Sequence, residues 1–159
     1  MEIFCGKGSS TAGLHVHAAP APDREARTND RCHNRGVIGR LEKTVLDCPD
    51  PRALAAFYAT ILGMRISEDS EGWVVIGTDP GARQLAFQRV AQWNAPVWGD
   101  PQHPQQQHLD IRVDDVDAAE QQVLALGARR LPGELEGRYR VFADPAGHPF
   151  CLVYGRHSA

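Results

Sequence analysis

The sequence predicts an α+β fold made of two βαβββ modules that follow one another along the chain. Lys43 precedes Asp50 by seven residues, and His108 precedes Asp115 by the same seven. Both segments then contain a Leu-Gly pair and an Asp-Pro pair in the same order, at 62–63 and 79–80 and again at 126–127 and 144–145. Repeated supersecondary units pack together to bury their apolar faces, so we expect the two modules to share one domain.

The elements of the first module can be placed from residue 41 onward. Residues 41–47 are predicted to form a strand. Asp50 is a helix N-cap with Pro51 at the first helical position, and Gly63 ends the helix after a run of apolar residues at helical spacing. Three short strands follow at 64–67, 72–76 and 84–89, with the Asp-Pro turn between the last two.

The second module repeats this order after a loop at 91–107 that is rich in Gln, Pro and Trp. Residues 108–113 alternate between polar and apolar side chains, which indicates a strand. Either Asp114 or Asp115 caps the second helix, which ends at Gly127. The remaining strands are predicted near 128–131, 138–143 and 149–154.

The domain boundary is expected near residue 40. Residues 1–40 have scattered apolar side chains and a long polar stretch, so we expect a disordered N-terminal extension. The folded domain is predicted to span residues 41–156. It divides into module one at 41–90, the linker loop at 91–107 and module two at 108–155.

Composition and charge exclude several classes of partner. The 159 residues carry a net charge of -3, and 23% of them are charged. We expect neither a nucleic acid nor a membrane as partner, because no basic excess is available to contact phosphates.

The N-terminus lacks a basic region followed by an apolar run, so no signal peptide is expected. The four cysteines form no CxxC pair, which favours free thiols in a cytoplasmic protein.

Three stretches, 46–63, 108–115 and 144–152, resemble the glyoxalase-like branch of the vicinal oxygen chelate superfamily. That superfamily holds glyoxalase I, bleomycin-resistance proteins and extradiol dioxygenases. The resemblance covers residues 41–155 and implies a curled mixed sheet around a shared cavity, with the helices outside. It also implies a homodimer. It does not define the reaction, because this fold hosts both enzymes and binding proteins.

Strand parity predicts which side chains face the cavity. Side chains alternate across a strand, and Leu109 and Ile111 belong to the core face. The opposite face of the two modules is therefore expected to contain Lys43, Asp47, Gln88, His108, Asp110, Arg112 and Cys151. The alternative is a solvated sheet face on which Asp and Arg side chains pair with one another.

A metal site is predicted to be incomplete. In metal-using relatives the four ligands come from the first and last strands of the modules. By position in the repeat these are Lys43, His108, Gln88 and Cys151. The ammonium of Lys43 has no lone pair and would repel a divalent cation. We therefore expect no metal cofactor; zinc or nickel would otherwise be held by His108, Gln88 and Cys151.

Two kinds of function fit these residues. The first is a protein that binds or sequesters a small organic ligand without a complete metal site. Lys43 and Arg112 would neutralise an anionic group of that ligand. The alternative is a lyase, isomerase or dioxygenase that uses a divalent metal, or acid/base chemistry by His108 beside Asp110. An enzyme of this family would be a glyoxalase-type lyase or isomerase.

The loop before His108 supplies two further candidates. Trp93 and Trp98 either stack on a flat ligand at the cavity rim or seal the junction between the modules. Cys151 lies in a strand that is predicted to be buried. There it is either a site residue or an inert thiol.

Overall fold

The computed structural model describes residues 38, 40–135 and 138–155. The predicted disorder of the N-terminal extension therefore lies outside the described residues, apart from 38 and 40. The compact unit that carries the fold begins at Leu41. Both helices of the described chain fall short of the length that a membrane span requires.

The first module forms one four-stranded mixed sheet with a helix. Its elements are β1 (Thr44–Cys48), α1 (Pro51–Leu62), β2 (Arg65–Ser70), β3 (Trp73–Gly77) and β4 (Leu85–Arg89). The strand order is β1-β4-β3-β2. β1 pairs with β4 in parallel, and the other pairs are antiparallel. The parallel pair forms because the helix carries the chain from β1 back across the sheet.

The second module repeats this topology. Its elements are β5 (Leu109–Arg112), α2 (Val116–Ala125), β6 (Arg129–Leu135), β7 (Tyr139–Ala143) and β8 (Pro149–Val153). The strand order is β5-β8-β7-β6, and again only the first pair is parallel. The predicted α+β fold with two βαβββ modules is confirmed.

Both helices begin at the predicted capping residues. Asp50 Oδ1 accepts hydrogen bonds from the backbone N–H groups of Arg52 and Ala53, each at 3.1 Å. Of the two candidates for α2, Asp115 is the cap, because its carboxylate accepts from Asp117 and Ala118. These bonds satisfy N–H groups that have no partner within the helix.

Strand boundaries differ from the prediction where side-chain patterning is a poor guide. β1 begins at Thr44 rather than residue 41, and Leu41 is exposed. β6 continues through Pro132 and Gly133, where the prediction stopped at 131. It is an edge strand with a shifted register between Arg130 and Glu134, so it tolerates a proline and a glycine at φ +100°.

One apolar core joins the two modules. The ring of Tyr58 on α1 stacks on Phe87 of β4, with centroids 5.7 Å apart, and meets Phe150 of β8 edge-on at 6.4 Å. The core-facing side chains of both sheets belong to the same buried cluster. The polar side chains therefore lie on the opposite face of each sheet. The sheets remain two separate four-stranded sheets that share this core.

Candidate ligand-binding cavity and polar cluster

A cavity of about 640 Å³ lies between the polar face of the first sheet and the linker loop. Its floor is made by β1, β3 and β4. Its lining residues are Val45, Leu46, Asp47, Trp73, Gln88, Trp93, Asn94, Ala95, Pro96, His103, Pro104, Gln106, Gln107 and His148. The lining includes two indole rings and four neutral amides, together with five smaller apolar residues, one carboxylate and two imidazoles.

Strand pairing brings the polar floor of the cavity together. Asp47 of β1 is opposite Gln88 of β4, and Gln88 is opposite Trp73 of β3. Residues directly opposite one another on paired strands share a face of the sheet. Their neighbours Leu46 and Phe87 point into the core, so the polar set cannot turn inward without burying charge.

The loop that covers the cavity is attached to the second module and is stabilised further by contacts within itself. Trp93 Nε1 donates to the carbonyl oxygen of Ala146 at 2.7 Å, which attaches the loop to the second module. Nearer its end, His103 Nδ1 lies 2.9 Å from Asp100 Oδ2, and Val97 N–H donates to the His103 carbonyl. The hydrogen bond to His103 is the main reason that the pKa of Asp100 is lowered.

Asp144 is a buried carboxylate beside this cavity. Its Oδ2 accepts from Tyr58 Oη at 2.9 Å and lies 3.0 Å from His148 Nδ1. Its Oδ1 accepts from the backbone N–H groups of Ala146 and His148, each at 2.9 Å. Burial, and then the charge of Asp144, raises the pKa of the Tyr58 hydroxyl, so Tyr58 remains a donor. The network joins α1 to the turn that leads into β8.

A cluster of three side chains lies on the face of the second sheet that is opposite the apolar core. The ligand atoms of His108, Asp110 and Cys151 all lie within 4.8 Å of one another. His108 Nε2 is 3.5 Å from Asp110 Oδ1, and both side chains are exposed, at 40% and 63%. Burial raises the pKa of the Cys151 thiol to about 11, with a further contribution from the negative charge of Asp110.

The predicted site residues are therefore divided between different places. Asp47, Gln88 and Trp93 line the cavity. His108, Asp110 and Cys151 form the polar cluster, and Trp98 lines a separate shallow pocket with part of the loop.

The two cations predicted to hold an anionic ligand have other contacts. Lys43 Nζ lies 3.1 Å from Glu42 Oε1, with only 13% of the lysine side chain exposed. Arg112 donates to the carbonyl oxygen of Gly155 at 2.9 Å. The lining of the cavity contains neither of them and no other Lys or Arg of the described chain.

Several residues of the cavity were not predicted from the sequence. Trp73 is opposite Gln88 in the β3–β4 pair, so strand pairing would have indicated it once Gln88 was placed. His103 belongs to a loop without periodicity, and no pattern indicated it. His148 follows the Asp-Pro turn that begins at Asp144; this turn marked the repeat and was part of the family resemblance, but neither indicated a role for His148.

Comparison with known proteins agrees with this architecture. The family model described as "Glyoxalase-like domain" matches residues 43–153, so the chain belongs to the glyoxalase-like family. The resemblance predicted from the sequence is confirmed. No curated protein sequence matches the chain significantly.

Solved structures of this superfamily share the fold at low sequence identity. A glyoxalase/bleomycin resistance/dioxygenase family enzyme from Burkholderia phytofirmans PsJN is 19% identical, with a TM-score of 0.55 over 74% of this chain and 100% of that one. The fosfomycin resistance protein FosX of Mesorhizobium loti is 18% identical, with a TM-score of 0.54 over 76% and 94%. Leishmania major glyoxalase I is 18% identical, with a TM-score of 0.52 over 73% and 86%. At these identities the likeness extends to the fold alone.

Proposed function

We propose that this protein binds a small organic molecule in the cavity between the first sheet and the linker loop. The observation that carries the proposal is the composition of the wall. The indole rings of Trp73 and Trp93 supply flat apolar surface, and Gln88 and Asn94 supply neutral hydrogen-bonding groups. A volume of about 640 Å³ is within the range of small-molecule sites.

The charges around the cavity indicate what kind of molecule fits. Asp47 is its one carboxylate, and no Lys or Arg is among its lining residues. An anionic ligand would have no permanent cation to pair with and would meet the charge of Asp47. We therefore propose a neutral planar ligand in place of the anionic ligand that was predicted from Lys43 and Arg112. Such a ligand can stack on an indole ring.

Indole is a suitable first probe, because it is neutral, planar and small. We expect isothermal titration calorimetry of the full chain to detect saturable binding of indole. Replacing Trp73 by Ala should weaken it about tenfold, since an aromatic contact adds about 0.5–1.5 kcal/mol to the area it buries. Trp73 is on an interior strand of the first sheet, and its backbone is paired on both sides, with Ser70 and with Gln88.

Leu124→Ala is the matched control. Leu124 is an exposed residue of α2 and is not part of the cavity lining, so this variant should bind indole as the parent does. Equal loss of binding in both variants would mean that the effect is not local to the cavity. Failure of the parent to bind indole or any co-purified small molecule would contradict the proposal.

The polar cluster favours a second candidate function, metal-assisted catalysis. His108, Asp110 and Cys151 offer nitrogen, oxygen and sulfur donors that suit zinc or nickel. These three residues would hold the ion, and a bound metal would supply a Lewis acid for lyase or isomerase chemistry. His108 beside Asp110 is the corresponding acid/base candidate. Gln88, which we predicted as a further ligand, is among the residues that line the cavity.

The thiol makes metal binding dependent on pH. With a pKa raised to about 11, Cys151 is protonated at neutral pH, and a metal must displace that proton. We expect the affinity of the metal-free chain for zinc to rise about tenfold between pH 7 and pH 8 from this proton alone. Zinc titration with a competing chromophoric chelator measures it.

The two buried thiols provide a matched comparison. Cys151→Ala should remove the tenfold rise in zinc affinity between pH 7 and pH 8 that the thiol causes. Cys48→Ala should retain it, because Cys48 belongs to the apolar core of the first sheet and not to the polar cluster. Zinc affinity that is the same in the parent and in Cys151→Ala would exclude the polar cluster as a metal site.

Two further parts of the proposal concern the setting of the protein. We propose a homodimer, as the family resemblance implies. The exposure of His108 and Asp110 leaves the polar face of the second sheet open to a second chain.

We also propose a cytoplasmic location. The free thiols of Cys48 and Cys151 support it, because reduced cysteines are typical of that compartment.

A further inference from the structure

The buried carboxylate of Asp144 determines which nitrogen of His148 carries a proton. Three donors point at its two oxygens: the Tyr58 hydroxyl and the backbone N–H groups of Ala146 and His148. Because the carboxyl group accepts from all three, it is also the acceptor in its fourth contact, 3.0 Å from Nδ1 of His148, and Nδ1 is the donor there. In the neutral ring the lone pair is therefore on Nε2.

Nε2 is the accessible nitrogen of the His148 ring. The structure gives this atom no hydrogen-bond partner among the described residues. Within that same set, Gln105 Oε1 is the only buried side-chain nitrogen or oxygen without a partner, so Nε2 is not sealed inside the protein. The side chain is 12% exposed and belongs to the cavity lining. His148 is therefore a cavity residue whose Nε2 keeps accessible surface.

The orientation of the imidazole is held from both sides. The ring lies against Trp93, with centroids 4.6 Å apart, and Trp93 is itself anchored to the Ala146 carbonyl. Asp144 is only 1% exposed and cannot move without breaking its contact with Tyr58. A lone pair held in this way, beside an aromatic wall, is a directed acceptor.

We propose that His148 Nε2 is the hydrogen-bond acceptor that selects the ligand, so that the cavity prefers planar molecules with an N–H or O–H donor. This inference rests on the proposed function, since it names the ligand class of the same cavity. Asp144 is the positioning residue, because it fixes the tautomer without contacting the ligand. The acceptor lies next to the Trp93 ring, so a single planar molecule can stack and donate together.

Indole and N-methylindole form a matched pair of probes, since they differ in the N–H donor. We expect the full-length parent to bind indole about 3- to 10-fold more tightly, the range of one net hydrogen bond. Replacing His148 by Phe should remove this preference while retaining stacking. In the Asp144→Asn variant the amide donates to Nδ1 and moves the proton to Nε2, so the preference for indole should also be lost.

The tautomer of His148 can be measured directly, without a ligand. A purely structural role for His148 would not link this tautomer to the preference for indole. Long-range proton–nitrogen correlation spectra of histidine-labelled parent should show His148 with Nδ1 protonated and Nε2 unprotonated. The His148→Phe spectrum assigns the signals, and Asp144→Asn should reverse them. If Asp144→Asn does not fold, the parent spectrum and the His148→Phe titrations decide the question.

The outcomes separate this inference from the proposed function. Equal affinity of the parent for indole and N-methylindole, or a parent His148 protonated at Nε2 alone, would overturn the role of His148 and leave the cavity a binding site. No binding of either probe would overturn both.

Discussion

Replacing Asp144 by Ala should lower the free energy of unfolding by about 3–5 kcal/mol, a large part of the stability of a domain of this size. The substitution removes an acceptor that four hydrogen bonds share. It leaves the hydroxyl of Tyr58 buried without a partner, and Tyr58 is almost fully enclosed. Urea unfolding followed by circular dichroism measures the loss.

The repeat supplies the control for this substitution. Asp79 is the equivalent residue of the first module, and its Oδ1 accepts from the backbone N–H groups of Gly81 and Ala82 in an exposed turn. Asp79→Ala should cost about 1 kcal/mol or less, because water can replace these bonds. Similar losses for the two variants would show that Asp144 does not join α1 to the second module in solution.

Replacing Phe150 by Ala should also cost about 3–5 kcal/mol, because it opens a cavity at the centre of the shared core. Phe150 has no exposed surface and contacts the rings of Phe57, Tyr58 and Phe142. Two of these belong to α1 of the first module. Chemical unfolding should therefore shift as one transition, since both modules lose the same packing.

Phe150→Leu should cost distinctly less than Phe150→Ala, since it retains most of the buried volume. Leu124→Ala, at an exposed position of α2, should change stability by about 0.5 kcal/mol or less. A cost below about 2 kcal/mol for Phe150→Ala would mean that the modules do not depend on a common core.

The repeat made the fold predictable from the sequence. The same seven-residue spacing, helix ends and Asp-Pro turns occur twice, and the structure has the same strand order in both modules. The helix caps at Asp50 and Asp115 follow from local hydrogen bonding, which needs no tertiary context. Strand ends were less predictable, because the length of β6 depends on its pairing with β7 rather than on its own residues.

The polar face of each sheet could also be assigned from the sequence, because side chains alternate along a strand. Asp47 and Gln88 are on the polar face of the first sheet, and Asp110 and Cys151 are on the polar face of the second, each opposite the core-facing side chains as alternation predicts. From the sequence we expected all of these residues, with His108, to share one face. Which of them share a site is a different question. It depends on how the sheets pack, and alternation along a strand contains no information about distances between sheets.

The sequence by itself determined the modular α+β fold, the cap of the first helix and the alternation of side chains along each strand, because these depend on local geometry and on a repeat that can be read along the chain. Only the tertiary structure decided that the apolar faces of both sheets meet in one core, and that a loop without periodicity covers the first sheet. It also decided that Tyr58, Asp144 and His148 form one network, although Tyr58 and Asp144 are 86 residues apart in the sequence. Contacts between residues so distant in the chain arise from packing, and no local pattern encodes them.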